Sequence, residues 1–439
     1  MPEAAWPTCS ASPVVTDLSP PRFLKRHVAA AVAGNALEFY DFTIYAAFAV
    51  EIGHTFFPNK DPFVSLIASL ATFGAGFALR PLGAVLIGRY ADKAGRKPAM
   101  LFSLTLMGIA ILGLALTPSF KAIGPAAPVL ALLWRLMQGF ALGGEVGPTT
   151  AYLVESAPPA KRALYGSWQT GSQNLAFIAG GLIGMILVQI AGPAGQEAWG
   201  WRVAVGLGAA VLPFGVWLRR SLPETLHEPE APSAIHPERA DLISHWRVIA
   251  LGIALIAAST VQNYVSTFMT TYAKTTLHMA AGVSLAATLV LGLSGLGCAL
   301  TGGLLADRFG RKSMLIWPRL VFLAAVIPAF MLMVRFHNAW SLLGATATLS
   351  GLSSLSSAAF LVGITESLRK EIRGAVMGTV YAVSVAIFGG STQPIIATLI
   401  HATGNPLMPA YYVLAFTVVG LIASLLMKET AHRHIVAKG

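Results

Sequence analysis

The decapeptide Gly-Arg-Tyr-Ala-Asp-Lys-Ala-Gly-Arg-Lys occupies residues 88–97, and a second version, Gly-Leu-Leu-Ala-Asp-Arg-Phe-Gly-Arg-Lys, occupies residues 303–312. Each copy joins two long apolar segments. A second repeated pair, Glu-Ser followed by an Arg seven residues after the Glu, begins at Glu155 and again at Glu366. Two repeated pairs at nearly equal offsets indicate that the two halves of the chain arose by duplication.

The composition places the chain in a lipid bilayer. Of its 439 residues 55% are hydrophobic and only 11% are charged, and the mean hydropathy is +0.67. Apolar runs of about 18 to 25 residues recur, and each is long enough to cross a hydrocarbon core of roughly 30 Å as a helix. We predict an all-α polytopic membrane protein of two pseudo-symmetric six-helix bundles. The twelve predicted spans are residues 27–51, 63–87, 98–117, 126–151, 163–190, 201–219, 245–273, 280–302, 314–334, 339–363, 375–400 and 407–427.

The net charge of +11 reflects membrane topology, because Lys and Arg cluster at alternate ends of the spans. The positive-inside rule then places both termini in the cytoplasm, and we expect no nucleic-acid partner. Residues 1–21 are polar and Pro-rich, so we expect no cleavable signal peptide. The predicted order is a cytoplasmic tail at 1–26, a six-helix bundle at 27–219, a cytoplasmic linker at 220–244, a second bundle at 245–427 and a cytoplasmic tail at 428–439.

The sequence lacks the motifs of nucleotide-driven pumps and of common enzymes. It has no Walker A loop, no dinucleotide glycine fingerprint, no His-Glu-x-x-His zinc helix and no nucleophile elbow. The ten histidines take no metal-ligand spacing, and the two cysteines, Cys9 and Cys298, form no disulfide framework. We therefore expect a transporter and not an enzyme, with no cofactor and no metal, driven by an ion gradient or by the solute gradient.

Charged side chains inside the first span are candidates for proton coupling. A charge at bilayer depth costs roughly 2.5 to 3.5 kcal/mol, so it needs a partner or a task. Gly34, Glu38, Asp41 and Tyr45 fall on one helical stripe. We predict that Glu38 and Asp41 carry the coupled proton. The alternative is that they only pair with Arg80 to hold helices together.

Two arginines inside the spans are candidates for holding an anion. The planar guanidinium donates two parallel hydrogen bonds to a carboxylate, so either Arg80 or Arg135 could bind an anionic substrate. We predict Arg135 for the substrate and Arg80 for pairing with the first-span acids. Polar side chains elsewhere predict a cavity, although each one could equally hold helices together. The further candidates for substrate binding are Tyr45, Gln169, Gln173, Asn263, Tyr264 and Tyr381.

The repeated loops predict a gate at the cytoplasmic side. The glycine that opens each copy permits close helix contact, and the Asp could accept hydrogen bonds from a neighbouring helix N-terminus or an Arg. The alternative is that the loops only set topology through their positive charge. The spacing of Gly139, Gly143 and Gly147 indicates close helix packing. The predicted gating residues are Gly88, Asp92, Arg96, Glu145, Glu155, Arg162, Gly303, Asp307, Arg311, Glu366 and Arg373.

The two decapeptides resemble the signature of the major facilitator superfamily, and this resemblance covers essentially the whole chain. Within it, four segments are similar to the metabolite:proton symporter family, which includes carriers for citrate, α-ketoglutarate, shikimate, and proline or betaine. The resemblance implies twelve helices, alternating access and proton-coupled uptake at a bacterial inner membrane. The stretch from Arg80 to Gln173 resembles citrate-type carriers most closely. The four segments are residues 34–42, 80–83, 135–145 and 167–169.

Three functions follow from the sequence as alternatives. The first is proton symport of an organic carboxylate such as citrate, since two membrane arginines accompany two membrane acids. The second is proton-coupled uptake of a zwitterion such as proline or betaine, or of shikimate, with aromatic side chains around the cation. The third is a receptor or channel, which needs no paired gates. The expected partners are a small organic anion, a proton and the lipid bilayer, and we expect a monomer.

Overall fold

The structure is a computed structural model, and it describes residues 25–94, 96–143, 157–210, 246–367 and 378–430, together with Leu153 and Pro213. Every regular element in these ranges is helical. The helices of seven or more residues in the first half are α1 (Lys25–Ala47), α2 (Ala49–Phe56), α3 (Pro62–Ala78), α4 (Arg80–Ala94), α5 (Arg96–Leu116), α6 (Ala126–Leu142), α7 (Arg162–Gly195, kinked at Gly192) and α8 (Trp201–Leu207).

The helices of the second half correspond to the last six predicted spans. The eleventh span, Gly378–Thr403, contains a π-helical turn at Val385–Gly389. The helices are α9 (Trp246–Thr275), α10 (Ala281–Phe309), α11 (Arg311–Phe336), α12 (Ala339–Leu355), α13 (Ser357–Glu366), α14 (Gly390–Thr403) and α15 (Met408–Leu426).

Eight helical segments of the described part are long and apolar enough to cross a membrane by length and composition. Two shorter apolar helices, Leu101–Leu116 and Ala126–Leu142, accompany them. Described helices cover at least part of each of the twelve predicted spans, which confirms the all-α polytopic fold. The predicted linker and most of both predicted tails lie outside the described residues.

The ends of several helices follow from local sequence. Asp61 accepts a hydrogen bond from the Phe63 backbone N–H at 2.9 Å and thereby caps α3, with Pro62 at the first helical position. Gly310 separates α10 from α11 with a φ of 95° and a ψ of 157°. This backbone conformation favours glycine, because a Cβ atom would clash there. The turn inside the second decapeptide therefore needs its second glycine.

Two pairs of helices join the bundles. Span five (α7) packs along span eight (α10), where a Cβ atom at Gly295 would clash with the Asn174 side chain. Span two (α3) crosses span eleven, where a Cβ atom at Gly74 would clash with the Gly390 carbonyl oxygen. Spans two and eight are equivalent in the duplicated halves, and so are spans five and eleven. The duplication that is visible in the sequence therefore relates one interface contact to the other.

A crossing of α3 and α6 fixes the positions of both membrane arginines. A Cβ atom at Gly139 would clash with the Gly76 carbonyl oxygen, and one at Gly76 would lie 2.9 Å from the Arg135 carbonyl oxygen. Small residues let two backbones approach this closely inside a membrane. Arg80 follows Gly76 by one turn and Arg135 precedes Gly139 by one turn, so the two arginines flank the crossing, and their guanidinium groups both reach the Phe42 ring.

We expect Gly139→Ala to destabilise the protein by at least about 1 to 3 kcal/mol, since the added methyl overpacks a backbone contact. Thermal unfolding of purified protein in detergent measures the loss, and transport should fall with it. Gly297→Ala is the matched control, because no described atom lies within 4 Å of a Cβ atom at this exposed helical position. Equal melting temperatures for the two variants would contradict the close crossing.

Candidate functional site

A buried ion pair lies at the centre of the first bundle. The Arg135 Nη1 atom on α6 donates to the Asp41 Oδ2 atom on α1 at 2.8 Å, and the two side chains are 0% and 1% exposed. The same Nη1 atom donates to the Gln138 Oε1 atom at 2.5 Å, and the Gln138 Nε2 atom donates to the Asp41 Oδ1 atom at 3.3 Å. Glu38, one turn earlier on α1, is also buried. The carboxylate of Asp41 therefore has both a counter-charge and a neutral donor.

Aromatic rings surround the guanidinium groups. The Arg135 Cζ atom lies 4.4 Å from the ring centroid of Tyr45 and 4.8 Å from that of Phe42. The Arg80 Cζ atom lies 4.6 Å from the Phe42 centroid and 4.2 Å from that of Phe77. Ring faces attract cations, and desolvation strengthens that attraction. The Phe42 ring thus contacts both arginines.

Arg80 faces the second bundle. Its side chain is buried, and its Nε and Nη2 atoms have no hydrogen-bond partner among the described residues. Tyr264 and Tyr381 are close enough to interact electrostatically with its guanidinium, and the Tyr381 hydroxyl is also hydrogen-bonded to Gln173. Tyr264 packs edge-on against Phe77 at a centroid distance of 5.5 Å. Unused donors on a buried cation are costly, so this group can receive an anion.

The pairing of Asp41 differs from the one that the sequence favoured. We expected Arg80 to pair with the first-span acids and Arg135 to be available for an anion. The partner of Asp41 is Arg135, and none of the ion pairs among the described residues involves Arg80. The Arg80 guanidinium instead lies over the ring of Phe42, the residue directly after Asp41.

The other predicted cavity residues have varied surroundings. The Gln169 Nε2 atom donates to the Asn35 Oδ1 atom at 3.4 Å, which ties the fifth span to the first. The Tyr45 hydroxyl donates to the Ser69 carbonyl oxygen at 3.2 Å and ties α1 to α3. The backbone carbonyl oxygen of Asn263 accepts a hydrogen bond from the Thr267 hydroxyl one turn later, and Asn263 is half-buried. Gln169 and Tyr45 therefore contribute to helix packing in this conformation.

The second decapeptide contacts the opposite bundle through its Asp. The Asp307 carboxylate accepts from the backbone N–H groups of Ala163 at 3.0 Å and Leu164 at 2.9 Å, at the start of α7. A carboxylate at a helix N-terminus satisfies unpaired donors and complements the helix dipole. Arg311 lies 3.1 Å from Asp307 and 3.3 Å from Glu366. We call this group of contacts the latch end.

The two copies of the Glu-Ser-Arg motif meet at the latch end. Arg162 of the first copy lies 3.9 Å from Glu366 of the second. A Cβ atom at Gly303 would lie 2.8 Å from the Ala163 carbonyl oxygen, whereas no described atom lies within 4 Å of such an atom at Gly88. Close helix contact was predicted at both glycines, and among the described residues it is seen at Gly303, where α7 packs against α10. The other predicted gating positions are not described: Glu145, Glu155 and Arg373 lie outside the described residues, and so do the side chains of Asp92 and Arg96.

Contacts between the bundles also close the end opposite the latch. The Lys274 Nζ atom on α9 donates to the Glu51 Oε1 atom on α2 at 2.7 Å and to the Ala47 carbonyl oxygen at 3.1 Å. The Phe63 ring stacks on the His401 ring with a centroid distance of 3.8 Å. A cavity of ≈ 230 Å³ lies between these elements. The site around Asp41, Arg80 and Arg135 therefore has contacts between the two bundles on both of its sides along the membrane normal.

Sequence reasoning missed Gln138 and Arg319, as well as the Glu51 that pairs with Lys274. Gln138 completes the ion pair, and its position one turn after Arg135 was the available signal. Arg319 is buried within the second bundle, where it donates to the Leu315 carbonyl oxygen and to the hydroxyls of Ser259 and Ser424. Its presence in an apolar span was the signal there. These bonds link α9, α11 and α15. No group of three His, Cys, Asp or Glu side chains suited to a metal occurs in the described part of the chain.

Solved structures share this fold. A partially occluded, inward-open form of the xylose transporter XylE from E. coli superposes with a TM-score of 0.71. The superposition covers 92% of this chain and 98% of that one, at 14% sequence identity. At this identity the similarity shows the fold alone.

Curated relatives are similar over most of the sequence. The citrate-proton symporter of Klebsiella pneumoniae is 35% identical over 395 residues, which is 89% of each chain. The proline/betaine transporter of Salmonella typhimurium is 31% identical over 428 residues, covering 93% of this chain and 84% of the relative. The family profile described as Major Facilitator Superfamily matches residues 31–390. The twelve-span architecture, its duplicated bundle interface and these similarities show that the chain belongs to the Major Facilitator Superfamily.

Proposed function

We propose that this protein is a proton-coupled symporter that imports an organic carboxylate, such as citrate, by alternating access. It acts as a monomer in a bacterial inner membrane, with both termini in the cytoplasm. The observation that carries the proposal is the buried Arg80 guanidinium with unused N–H donors beside Tyr264 and Tyr381. The similarity to a citrate-proton symporter supports the same substrate class.

The charges of the site favour a carboxylate at Arg80. Asp41 already neutralises Arg135, whereas Arg80 has no ion-pair partner among the described residues. A substrate carboxylate would supply that counter-charge and accept from the unused donors in a two-point geometry. Hydroxyl groups of Tyr264 and Tyr381 could donate to further substrate oxygens. The second bundle would then contact the substrate directly.

The same charges account for proton coupling. Binding one carboxylate adds a negative charge to the site, and protonating Asp41 removes one. The loaded site, with substrate and proton, therefore carries the same net charge as the empty site. Moving a site through conformations that exclude water costs less when its net charge is unchanged. We propose that this balance couples one proton at Asp41 to the substrate carboxylate that binds Arg80.

Two gates would alternate around the site. The latch end, with Asp307 at the start of α7, would close the cytoplasmic side. The Lys274–Glu51 ion pair would close the periplasmic side. Both gates are made of charged groups that water can solvate when the bundles separate, so each can open at modest cost. Contact at both ends corresponds to an occluded state between the two open ones.

We expect Asp307→Asn to shift the resting population toward the inward-open state, because the amide loses the charge and one of the two acceptors at the α7 N-terminus. A change of about 1.4 kcal/mol shifts a two-state ratio tenfold, while equilibrium substrate binding should stay within several-fold. Thiol labelling of a Gln173→Cys reporter, with Cys9 and Cys298 changed to Ser, measures the population.

Asp61→Asn is the matched control for this experiment, because Asp61 also caps a helix but is exposed, and its hydrogen bonds that involve a side chain are, among the described residues, to Asn59 and Phe63 beside it. It should label like the parent. If Asp307→Asn labels like the parent and takes up substrate normally, the repeated loop does not act as a gate and only sets the topology.

Uptake into proteoliposomes tests the proposed function. Labelled citrate, α-ketoglutarate, shikimate and betaine are compared with and without an inward pH gradient. We expect accumulation of a carboxylate that depends on the gradient, and no accumulation of betaine. The aromatic faces a quaternary ammonium would need, those of Phe42, Tyr45 and Phe77, are already covered by the two guanidinium groups. Accumulation of betaine alone would establish the zwitterion alternative, and uptake without any proton dependence would contradict symport.

A further inference from the structure

Gln138 is the one neutral side chain seen to bond both members of the Asp41–Arg135 pair within the described residues. Its amide oxygen accepts from Arg135 and its amide nitrogen donates to Asp41. The side chain is buried, so neither bond can be replaced by bulk water. We propose that Gln138 is a positioning residue that holds Arg135 in place when Asp41 is protonated. This inference rests on the proposed proton site at Asp41.

The argument concerns the proton-loaded state. Protonation removes the charge of Asp41, so Arg135 loses its counter-ion while remaining buried. Its Nε and Nη2 atoms have no hydrogen-bond partner among the described residues and face aromatic rings. The Nη1 atom then keeps one strong acceptor, the Gln138 oxygen. A primary amide stays neutral at every physiological pH, so this anchor persists through the proton cycle.

Gln138 also serves the other proton state. Its N–H donates to the ionised Asp41, and without any rotation it can still donate to the carbonyl oxygen that the protonated acid retains, while the Gln138 oxygen stays on Arg135. A carboxylate at this position would lack the donor, and a hydrocarbon would lack both the donor and the acceptor. The charged and titratable groups that interact with Asp41 are Arg135 on α6 and Tyr40 and Tyr45 on its own helix. Arg80 interacts with Arg135 from α4.

The experiment separates coupling from folding. In proteoliposomes, accumulation of the transported carboxylate under an inward pH gradient is compared with exchange at equal pH on both sides. For Gln138→Met, which is similar in volume but makes neither bond, we expect at least a tenfold lower accumulation and exchange within threefold of the parent. The pH dependence of uptake should also change. Gln138→Glu retains the acceptor for Arg135 but loses the donor to Asp41, and it should be uncoupled as well, since the new carboxylate would neutralise Arg135 in both protonation states of Asp41.

Gln262→Met is the matched control. Gln262 is likewise buried and makes one donor and one acceptor bond, but to the hydroxyls of Thr417 and Ser353 in the second bundle. It should retain the parent ratio of accumulation to exchange. If Gln138→Met keeps that ratio and the parent pH profile while Asp41→Asn is uncoupled, Gln138 has no positioning role. If Asp41→Asn itself accumulates normally, the proposed proton site is wrong, and the two failures are thereby distinguished.

Discussion

Asp41→Asn should abolish accumulation driven by a pH gradient while exchange of internal for external substrate continues. Asn has the shape of Asp but cannot take up or release a proton, so the site would carry substrate without its coupling ion. A gradient of two pH units represents about 2.7 kcal/mol per proton, which corresponds to roughly hundredfold accumulation. We expect the variant to reach only the external concentration.

Labelled substrate in proteoliposomes measures both quantities in one preparation. Glu38→Gln is the second arm, because Glu38 is buried on the same helix and was predicted as a coupling residue with Asp41. Glu197→Gln is the matched control, since Glu197 is exposed and pairs with His54 outside the site. Full gradient-driven accumulation in both Asp41→Asn and Glu38→Gln would remove these residues from the coupling role.

Arg80→Lys should raise the half-saturation concentration for substrate by about 10- to 100-fold, since one charge-assisted hydrogen bond contributes about 1.5 to 3 kcal/mol. Lysine keeps the positive charge but loses the planar two-point donor and the contact with the Phe42 and Phe77 ring faces. Initial rates of uptake over a range of substrate concentrations measure this change, and coupling to the proton should persist.

Two further substitutions test the assignment of the arginines. Arg89→Lys is the matched control, because Arg89 lies on the same helix α4 but is exposed. For Arg135→Lys we expect impaired accumulation, because the substitution disturbs the ion pair that Arg135 makes with Asp41. A large rise in half-saturation for Arg135→Lys with none for Arg80→Lys would place the substrate carboxylate at Arg135, as the sequence alone suggested.

Spans and their order followed from hydropathy and charge. The predicted span at 280–302 corresponds to Ala281–Phe309, and the predicted span at 407–427 corresponds to Met408–Leu426. This accuracy has a physical cause, because in lipid each helix must satisfy its own backbone hydrogen bonds and cover a fixed apolar thickness. Both requirements are local, so a single sequence expresses them. The π-helical turn at Val385–Gly389 was not predicted, since no local pattern marks it.

The candidate site was predicted as a set of residues but not as a set of pairs. Hydropathy shows that Asp41, Arg80 and Arg135 are expensive in a span and need partners, yet it does not show which partner each one has. That choice depends on the crossing of α3 over α6 at Gly76 and Gly139, where backbones approach closely.

The sequence by itself determined the membrane class, the duplication, the order of the spans and the three charges Asp41, Arg80 and Arg135 of the central site. Tertiary structure alone decided that Arg135 pairs directly with Asp41, that Gln138 bonds both, and that Arg80 keeps unused donors toward the second bundle. The reason is that hydrogen bonds between distant spans depend on the depth and rotation of each helix. Both are set by packing against several neighbours at once, which no periodicity in one segment encodes.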